Sequence, residues 1–308
     1  MSALQKYYRK PKFYFTLPSQ LNFYNEGDID KSEELSILGE VGVMPMTTMN
    51  ELELKNPESI INGSAVESLI RDCTTLNINP KKLIKSDVDA LLVGIKMASN
   101  SSTTYNFSVT CPNEECGHQF EYTRDLDKIL NSIDTLDEQY TVELSQDEST
   151  LLTVYLRPSL YEEHIDVDNQ HFKERKRLRE IENKINNLTE EEFESEDFED
   201  QKTRFYGMLG EVFKDMSQSA IETYAKNILY VHVKDDNEGV DEYVDDYDEI
   251  VQWMYDLDTD SYMSIKDKIS EINNKGLDDT ETITCQECGH EWNQIFDINL
   301  TDFFENGS

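Results

Sequence analysis

Two near-identical strings carry the strongest structural signal in this chain: TCPNEECGHQF at Thr110–Phe120 and TCQECGHEW at Thr284–Trp292. Each reads Thr-Cys, a short gap, Cys-Gly-His, a polar residue and an aromatic. The gaps of four and two residues lie inside the range usual for zinc ligands. In a zinc knuckle, a strand delivers the first thiolate, and glycine after the second cysteine permits a positive φ. Both strings therefore predict a β-hairpin with two thiolates at its turn.

Neither cysteine pair can complete a tetrahedral metal site alone. Together the pairs supply four thiolates, which predicts one structural Zn²⁺ per chain, bound by Cys111, Cys116, Cys285 and Cys288. Two alternatives stay open: a histidine, His118 or His290, replaces one thiolate, or the ribbon folds without metal. With four thiolates bound, no position remains for a catalytic water.

A ribbon split in this way sets the domain organisation. Its halves are residues 104–123 and 281–300, and residues 124–280 form an insertion between them. Residues 1–103 then make a separate N-terminal lobe. Closing so long a loop costs entropy, which a bound metal would offset by clamping its ends. The predicted fold class is α+β.

Local patterns fill in these parts. In the lobe, Phe13–Leu17 and Glu40–Met46 alternate like short strands, and Ser86 is a candidate N-cap for an apolar helix. The insertion begins with a predicted hairpin, Tyr140–Leu144 and Leu151–Leu156. From Pro158 to about Asn274 the pattern is helical throughout.

Two acidic clusters, Glu190–Asp200 and Asp235–Glu249, interrupt the helical part of the insertion. Charges of one sign at this density repel one another and stay hydrated, so solvated faces or loops are the first interpretation. A docking surface for a basic partner is the second.

Composition excludes several classes of protein. The 308 residues include 64 Asp and Glu against 28 Lys and Arg, a formal net charge of -36, and 37% are hydrophobic. A core of ordinary size is therefore expected, whereas sequence-independent binding to nucleic acid or to an anionic membrane is not. No apolar run approaches the ~20 residues of a membrane span, and the N-terminus lacks the apolar core of a signal peptide. An untargeted, soluble, cytoplasmic product is expected.

Three weaker motifs have simpler interpretations. Asp256–Ser261 resembles the start of a calcium loop but lacks its glycine and its final glutamate, so helix capping is expected. Cys73 is predicted to be a small buried hydrophobe. The basic-aromatic stretch Lys6–Phe13 is expected to pair with the protein's own acidic surface or to reach a partner, rather than to bind nucleic acid.

No pattern predicts a catalytic or cofactor-binding residue. The histidines have no neighbouring nucleophile motif and no HExxH spacing, and the 12 glycines form no phosphate-binding loop. The chain is therefore predicted not to be an enzyme.

A series of short motifs in the first 135 residues resembles one family in its order and spacing. The motifs are Phe15–Ser19 with Phe23 and Tyr24, Val43–Thr48 before Glu51, Asn62 and Gly63 before a helix to Cys73, Leu83–Asp87, and Cys111 and Pro112 before Cys116. This series resembles the baseplate hub subunit family of T4-like tailed bacteriophages. The four-residue gap of the first cysteine pair departs from the two residues that are commoner in ribbons.

The resemblance implies a non-enzymatic tail-assembly protein. It would be a hub component or a chaperone for hub or tape-measure proteins. It would be present in the host cytoplasm during assembly and, if retained, in the virion baseplate. It implies nothing about homo-oligomers. The alternative is a zinc-ribbon regulatory or nucleic-acid-binding module, which would carry Lys or Arg around its knuckles. Acidic residues stand there instead: Glu114, Glu115, Glu287 and Glu291.

Overall fold

A computed structural model of the chain describes residues 9–24, 40–100, 102–145, 150–186, 198–235, 237–278 and 280–295. It mixes helices with antiparallel sheets, which confirms the α+β class. The chain divides into two compact units. Unit 1 comprises Met1–Glu138, Leu160–Glu162 and Glu271–Ser308, and unit 2 comprises Gln139–Ser159 and Glu163–Ser270.

Unit 1 contains short strands, short helices and one long buried helix. Its elements are β1 (Phe13–Thr16), β2 (Glu40–Val43), α1 (Thr48–Glu53), α2 (Pro57–Ile61), α3 (Ser64–Cys73), a 3₁₀ turn (Pro80–Lys82), α4 (Lys85–Ser99), β3 (Thr104–Thr110), β4 (Gln119–Asp125), α5 (Leu126–Asn131), β9 (Thr280–Thr284) and β10 (Glu291–Ile295). Strands β1 and β2 pair antiparallel, as do β3 with β4 and β9 with β10.

The first two strands are shorter than the sequence predicts. Strand β2 ends at Val43 because the chain then turns into α1, whose N-cap is Thr47. The Thr47 side chain accepts from the Asn50 N–H, and the Asn50 side chain accepts from the Thr47 N–H, so both backbone donors are satisfied.

Helix α4 is the centre of unit 1. Its apolar residues Val88, Leu91, Leu92 and Ile95 are buried, as the pattern predicts. The predicted N-cap was wrong, because the helix begins at Lys85 and Ile84 is the capping residue. Ser86 therefore lies in the first turn, where the backbone N–H groups attract a carboxylate. Asp87 supplies that carboxylate from the same turn.

Unit 2 is built on a four-stranded antiparallel sheet with strand order β5-β6-β7-β8. Its elements are β5 (Tyr140–Ser145), β6 (Thr150–Leu156), α6 (Tyr161–Asn186), α7 (Phe198–Ala225), β7 (Ile228–Asp235), β8 (Val240–Val244), α8 (Tyr247–Asp256) and α9 (Thr259–Asn273). The first residues of α6 and the last residues of α9 belong to unit 1. The predicted β5/β6 hairpin is confirmed.

The expectation of a purely helical stretch from Pro158 to Asn274 was wrong, because β7 and β8 lie inside it. Strand β7 pairs along most of β6, and β8 pairs with β7. The buried Asn227 ends the preceding helix, and its side-chain amide donates to the Arg157 carbonyl and to Ser159 Oγ. Those bonds direct the chain into β7.

The acidic cluster at residues 235–249 forms part of β8 and the start of α8. Asp241 and Glu242 are exposed on β8, and Asp246 caps α8 by accepting from the Glu249 N–H. These positions agree with a solvated face. The cluster at residues 190–200 lies outside the residues whose side chains the structure describes. Among the described residues, no helix is both long and apolar enough to span a membrane.

Candidate metal centre

The two cysteine strings form matching hairpins in unit 1. Cys111 follows β3 directly, and Cys285 follows β9 directly. In each turn the first cysteine's N–H donates to the carbonyl of the histidine, His118 or His290, at 2.9 Å. The same hydrogen bond therefore closes both turns.

Glycine is required in each turn for its backbone conformation. Gly117 has a φ of 56° and Gly289 a φ of 71°, both in the left-handed region, as the sequence predicts. A Cβ at either position would meet no atom within 4 Å. Backbone conformation, rather than crowding, therefore explains the two glycines.

The longer gap of the first pair is absorbed by a turn at Asn113. The Asn113 carbonyl accepts from the N–H groups of Cys116 and Gly117, and its side-chain oxygen accepts from the Glu115 N–H. Its side-chain amide points at Cys288 Sγ across the cluster, at 3.8 Å. The two extra residues are thus accommodated within the turn, and both thiols of the pair still lie in the sulfur cluster.

The four thiols converge. Their sulfur atoms all lie within 4.8 Å of one another, with 3.7 Å between Cys111 and Cys288 and 3.8 Å between Cys116 and Cys285. All four cysteines are free rather than disulfide-bonded. A tetrahedron with metal–sulfur bonds of ~2.3 Å has edges of about 3.8 Å. The donor set therefore fits a tetrahedral thiolate-binding metal.

The histidines are not part of this group of ligand atoms. The His118 ring stacks on Phe120 with 5.7 Å between centroids, and the His290 ring stacks on Trp292 at 6.1 Å. Phe120 and Trp292 meet edge to face at 6.3 Å. Aromatic residues at equivalent positions of the two strings therefore join the two hairpins.

An ion pair adds a second connection between the hairpins. Arg124 on β4 pairs with Glu281 on β9 at 3.4 Å and also donates to the Asp278 carbonyl. Only 11% of the Arg124 side chain is exposed, so solvent screens this pair less than it would an exposed one. The two hairpins are therefore held together away from the cysteines as well as at them.

The thiols differ in their tendency to ionise. The Cys288 N–H, donating to the sulfur, lowers the pKa of Cys285 to about 7. Burial raises the pKa of Cys111 to about 12. Neighbouring thiolates repel one another, and a bound cation would offset that repulsion. A divalent metal would supply such a charge.

The other predicted motifs serve as structural elements. Asp258 accepts from the N–H groups of Asp260 and Ser261 and from the Ser261 hydroxyl, which confirms helix capping, although α9 starts at Thr259. These bonds lower the pKa of Asp258. Cys73 is fully buried, which confirms its predicted role, and burial raises its pKa.

The basic-aromatic stretch is described only from Arg9 onward; Lys6, Tyr7 and Tyr8 lie outside the described residues. Arg9 donates to the carbonyls of Pro45 and Asp72 and to Cys73 Sγ. It therefore bonds to the protein itself, but to backbone and sulfur atoms rather than to the acidic side chains that the sequence led us to expect.

One buried polar cluster was not predicted. The fully buried Asp87 accepts hydrogen bonds from the Ser19 N–H, the Ser19 hydroxyl and the Tyr24 hydroxyl. Burial raises the pKa of Asp87 to about 6. The sequence signal was weak, since an acidic residue in the first turn of a helix is common and normally exposed.

One comparison with known proteins gives a match. The family model described as T4 bacteriophage base plate protein matches residues 31–305. The match includes both cysteine strings and the whole of unit 2, for which the sequence motifs gave no relative. No curated protein and no solved structure matches the chain. Since the family match covers most of its length, the chain belongs to the T4 bacteriophage base plate protein family.

Proposed function

We propose that the chain acts without enzymatic activity in building the baseplate hub, and that one Zn²⁺ stabilises its unit 1. The observation that supports this is the convergence of four free thiols within 4.8 Å of one another in a baseplate-family protein. It acts as a hub component or as a chaperone for hub or tape-measure proteins.

In the proposed site, Cys111, Cys116, Cys285 and Cys288 hold the metal as thiolates. Bound zinc supplies a cross-link and has no position left for a reacting water. The cross-link ties the chain before unit 2 to the chain after it, since Cys116 and Cys285 are 169 residues apart in sequence.

The charge favours the chaperone version. Permanent interfaces are large and apolar, whereas a protein of net charge -36 stays soluble and dissociates readily from a client. The family name is compatible with both a hub component and a chaperone, because a protein that helps to build the baseplate need not remain in it.

Phage that lack this chain provide the test. We expect infected cells to accumulate no complete baseplates, as seen by electron microscopy of lysates, and complementation with the intact chain to restore them. Normal tails without the chain would refute the proposal. Mass spectrometry of gradient-purified virions then separates the versions, because a hub component is retained and a chaperone is not.

The nucleic-acid-binding alternative predicts a different result. The residues around the knuckles, Glu114, Glu115, Glu287 and Glu291, are exposed and acidic. We expect no retardation of a DNA duplex by micromolar protein at about 150 mM salt, where the Debye length is ~8 Å. Retardation that is lost on deleting residues 1–12 would favour the regulatory alternative over the assembly role.

A further inference from the structure

Helices α6 and α7 of unit 2 lie side by side and antiparallel. Two ion pairs fix their register: Arg177 with Asp215 at 2.8 Å, and Asp166 with Lys226 of the turn after α7 at 4.0 Å. Ile181 of α6 and Val212 of α7, which this register places almost level with each other, are nearly fully buried. The pair thus forms a helical hairpin with a narrow apolar seam.

Helix α7 carries two parallel rows of residues at the alternating spacing of four and three that is typical of coiled coils. The inner row is buried or half-buried and contains Phe205, Leu209, Val212, Met216 and Ser219. The second row, here called the outer stripe, is exposed throughout and contains Tyr206, Gly210, Phe213, Ser217 and Ala220. The inner row lies on the side of α7 that carries the buried Val212, and a rotation of about 100° per residue turns the outer stripe away from that side.

The outer stripe is unusual for a solvated helix face. Its aromatic side chains, Tyr206 and Phe213, are 64% and 57% exposed. Gly210 lies between them, and a Cβ there would meet no atom within 4 Å. Glycine inside a helix is unfavourable relative to alanine, and nothing nearby in the described part of the chain requires it. A second helix that approaches closely gives it a role.

The charges beside the outer stripe are basic, although the protein is strongly acidic. Because Arg177 and Asp215 pair along one edge of the hairpin, a rotation of about 100° per residue places Arg175 and Arg179 on the other edge. The antiparallel register brings these two arginines level with Ser217 and Phe213. Both are exposed.

Lys214 borders the outer stripe on its far side and is also exposed. Glu182, which the register places level with Gly210, is an acidic residue beside the outer stripe and an exception to this basic pattern. A second copy of the chain would bring cations against cations, in addition to repulsion between two chains of charge -36. The complementary occupant is a helix that is apolar on one face and acidic at its edges.

We propose that the outer stripe docks an acidic amphipathic helix of another protein. The aromatic residues anchor the apolar face of that helix, Gly210 permits close approach of the two backbones, and the cations pair with its acidic edges. The proposal goes beyond the assembly role and does not depend on the metal.

Two synthetic helices of about four heptads test the proposal. Both have leucine at the a and d positions, and they differ only in glutamate or lysine at e and g. Binding to the full chain is measured by fluorescence anisotropy at about 150 mM salt. We expect the acidic helix to bind and the basic one not to, which is the reverse of what the net charge predicts. Preference for the basic helix would overturn the proposal.

Matched variants locate the binding surface. We expect Phe213→Ser to weaken binding of the acidic helix about 30-fold, as for a central aromatic anchor. Leu52→Ser is the control, because Leu52 is 57% exposed, as Phe213 is, and lies on α1 of unit 1. Equal effects of the two substitutions would refute the assignment.

The glycines give a second pair, in which loss of folding is not a concern. Gly207 and Gly210 both have open space around a Cβ, but only Gly210 belongs to the outer stripe. Alanine should stabilise the helix equally at both positions and should weaken binding only at position 210. Sedimentation tests whether the free chain self-associates. If it does, and if Phe213→Ser abolishes the association, the occupant is a second copy of the chain and the proposal is overturned.

Discussion

Replacing Cys285 with serine is expected to release the metal and to destabilise the chain far more than replacing Cys73. The substitution leaves three thiolates around an incomplete site, and the serine hydroxyl is a poor zinc ligand at neutral pH. In zinc-finger peptides the metal contributes about 10–16 kcal/mol, all of it available to folding. Most of the stability that a metal gives to the two hairpins should therefore be lost with Cys285.

Cys73→Ser is the matched control because it makes the same chemical change at an equally buried position. Cys73 is 0% exposed and Cys285 1% exposed. Burying a hydroxyl in place of the Cys73 thiol should cost about 1–3 kcal/mol and leave the metal content unchanged. The sulfur already lies near Arg9 and the Asn50 side chain, which can serve the hydroxyl as hydrogen-bond partners.

The measurements are metal content by elemental analysis and urea unfolding. Protein purified without chelator should hold about one equivalent of zinc, and Cys285→Ser should hold nearly none. A folded wild-type chain without zinc would refute the metal site. Equal shifts of the unfolding midpoint for Cys285→Ser and Cys73→Ser would show that the two cysteine pairs do not act together.

The hairpins were predictable because all of their determinants are local. The end of β3 at Thr110 and the start of β4 at Gln119 both lie within the first string. Glycine at positions 117 and 289 marks the two turns. The meeting of the two cysteine pairs could be predicted from coordination number, since two thiolates cannot fill a tetrahedral site. Reasoning from the ligands that a metal needs thus related two segments that no local pattern connects.

Strands β7 and β8 were missed because their formation depends on a distant partner. The amphipathic pattern of α7 runs into Ile228 without a proline or glycine to mark the boundary. The pairing of β7 with β6 joins Val154 to Val231, and both are buried. The β-branched and aromatic residues of Ile228–Val233 are a local strand signal, but the long helical pattern before them obscured it.

The buried Asp87 was missed for a related reason. Its hydrogen-bond partners, Ser19 and Tyr24, lie 68 and 63 residues earlier in the chain. The segment that carries them contains two non-glycine residues with positive φ, Gln20 at 51° and Leu21 at 65°. Asp87 holds this unfavourable turn against the start of α4, an arrangement that depends on tertiary structure.

Truncating this carboxylate has the second large expected effect. Asp87→Ala leaves the Ser19 N–H, the Ser19 hydroxyl and the Tyr24 hydroxyl without their acceptor. A buried donor without a partner costs about 1–3 kcal/mol, so we expect a loss of roughly 3 kcal/mol in the free energy of unfolding at pH 7. Asp89→Asn is the control. Its half-exposed ion pair with Lys85 should contribute less than about 1 kcal/mol.

The isosteric variant Asp87→Asn isolates the charge of the carboxylate, because asparagine keeps one acceptor and does not titrate. Burial raises the pKa of Asp87 from 3.8 to about 6, so between these values the folded state binds the proton more tightly than the unfolded state. The contribution of Asp87 to the free energy of unfolding is therefore fully present below its pKa in the unfolded chain. It declines as the pH rises through the pKa of the folded state, by roughly 3 kcal/mol in total.

About 1 kcal/mol of that decline should fall between pH 5 and pH 8, above the isoelectric point. Urea unfolding of the wild type and of Asp87→Asn at matched pH, with equal zinc content, removes every other titration from the difference. We expect the wild type to lose its advantage over the variant as pH increases across this range. A difference that is constant, or that grows with pH, would show that Asp87 is ionised in the folded state as easily as in water, and that its hydrogen bonds outweigh its burial.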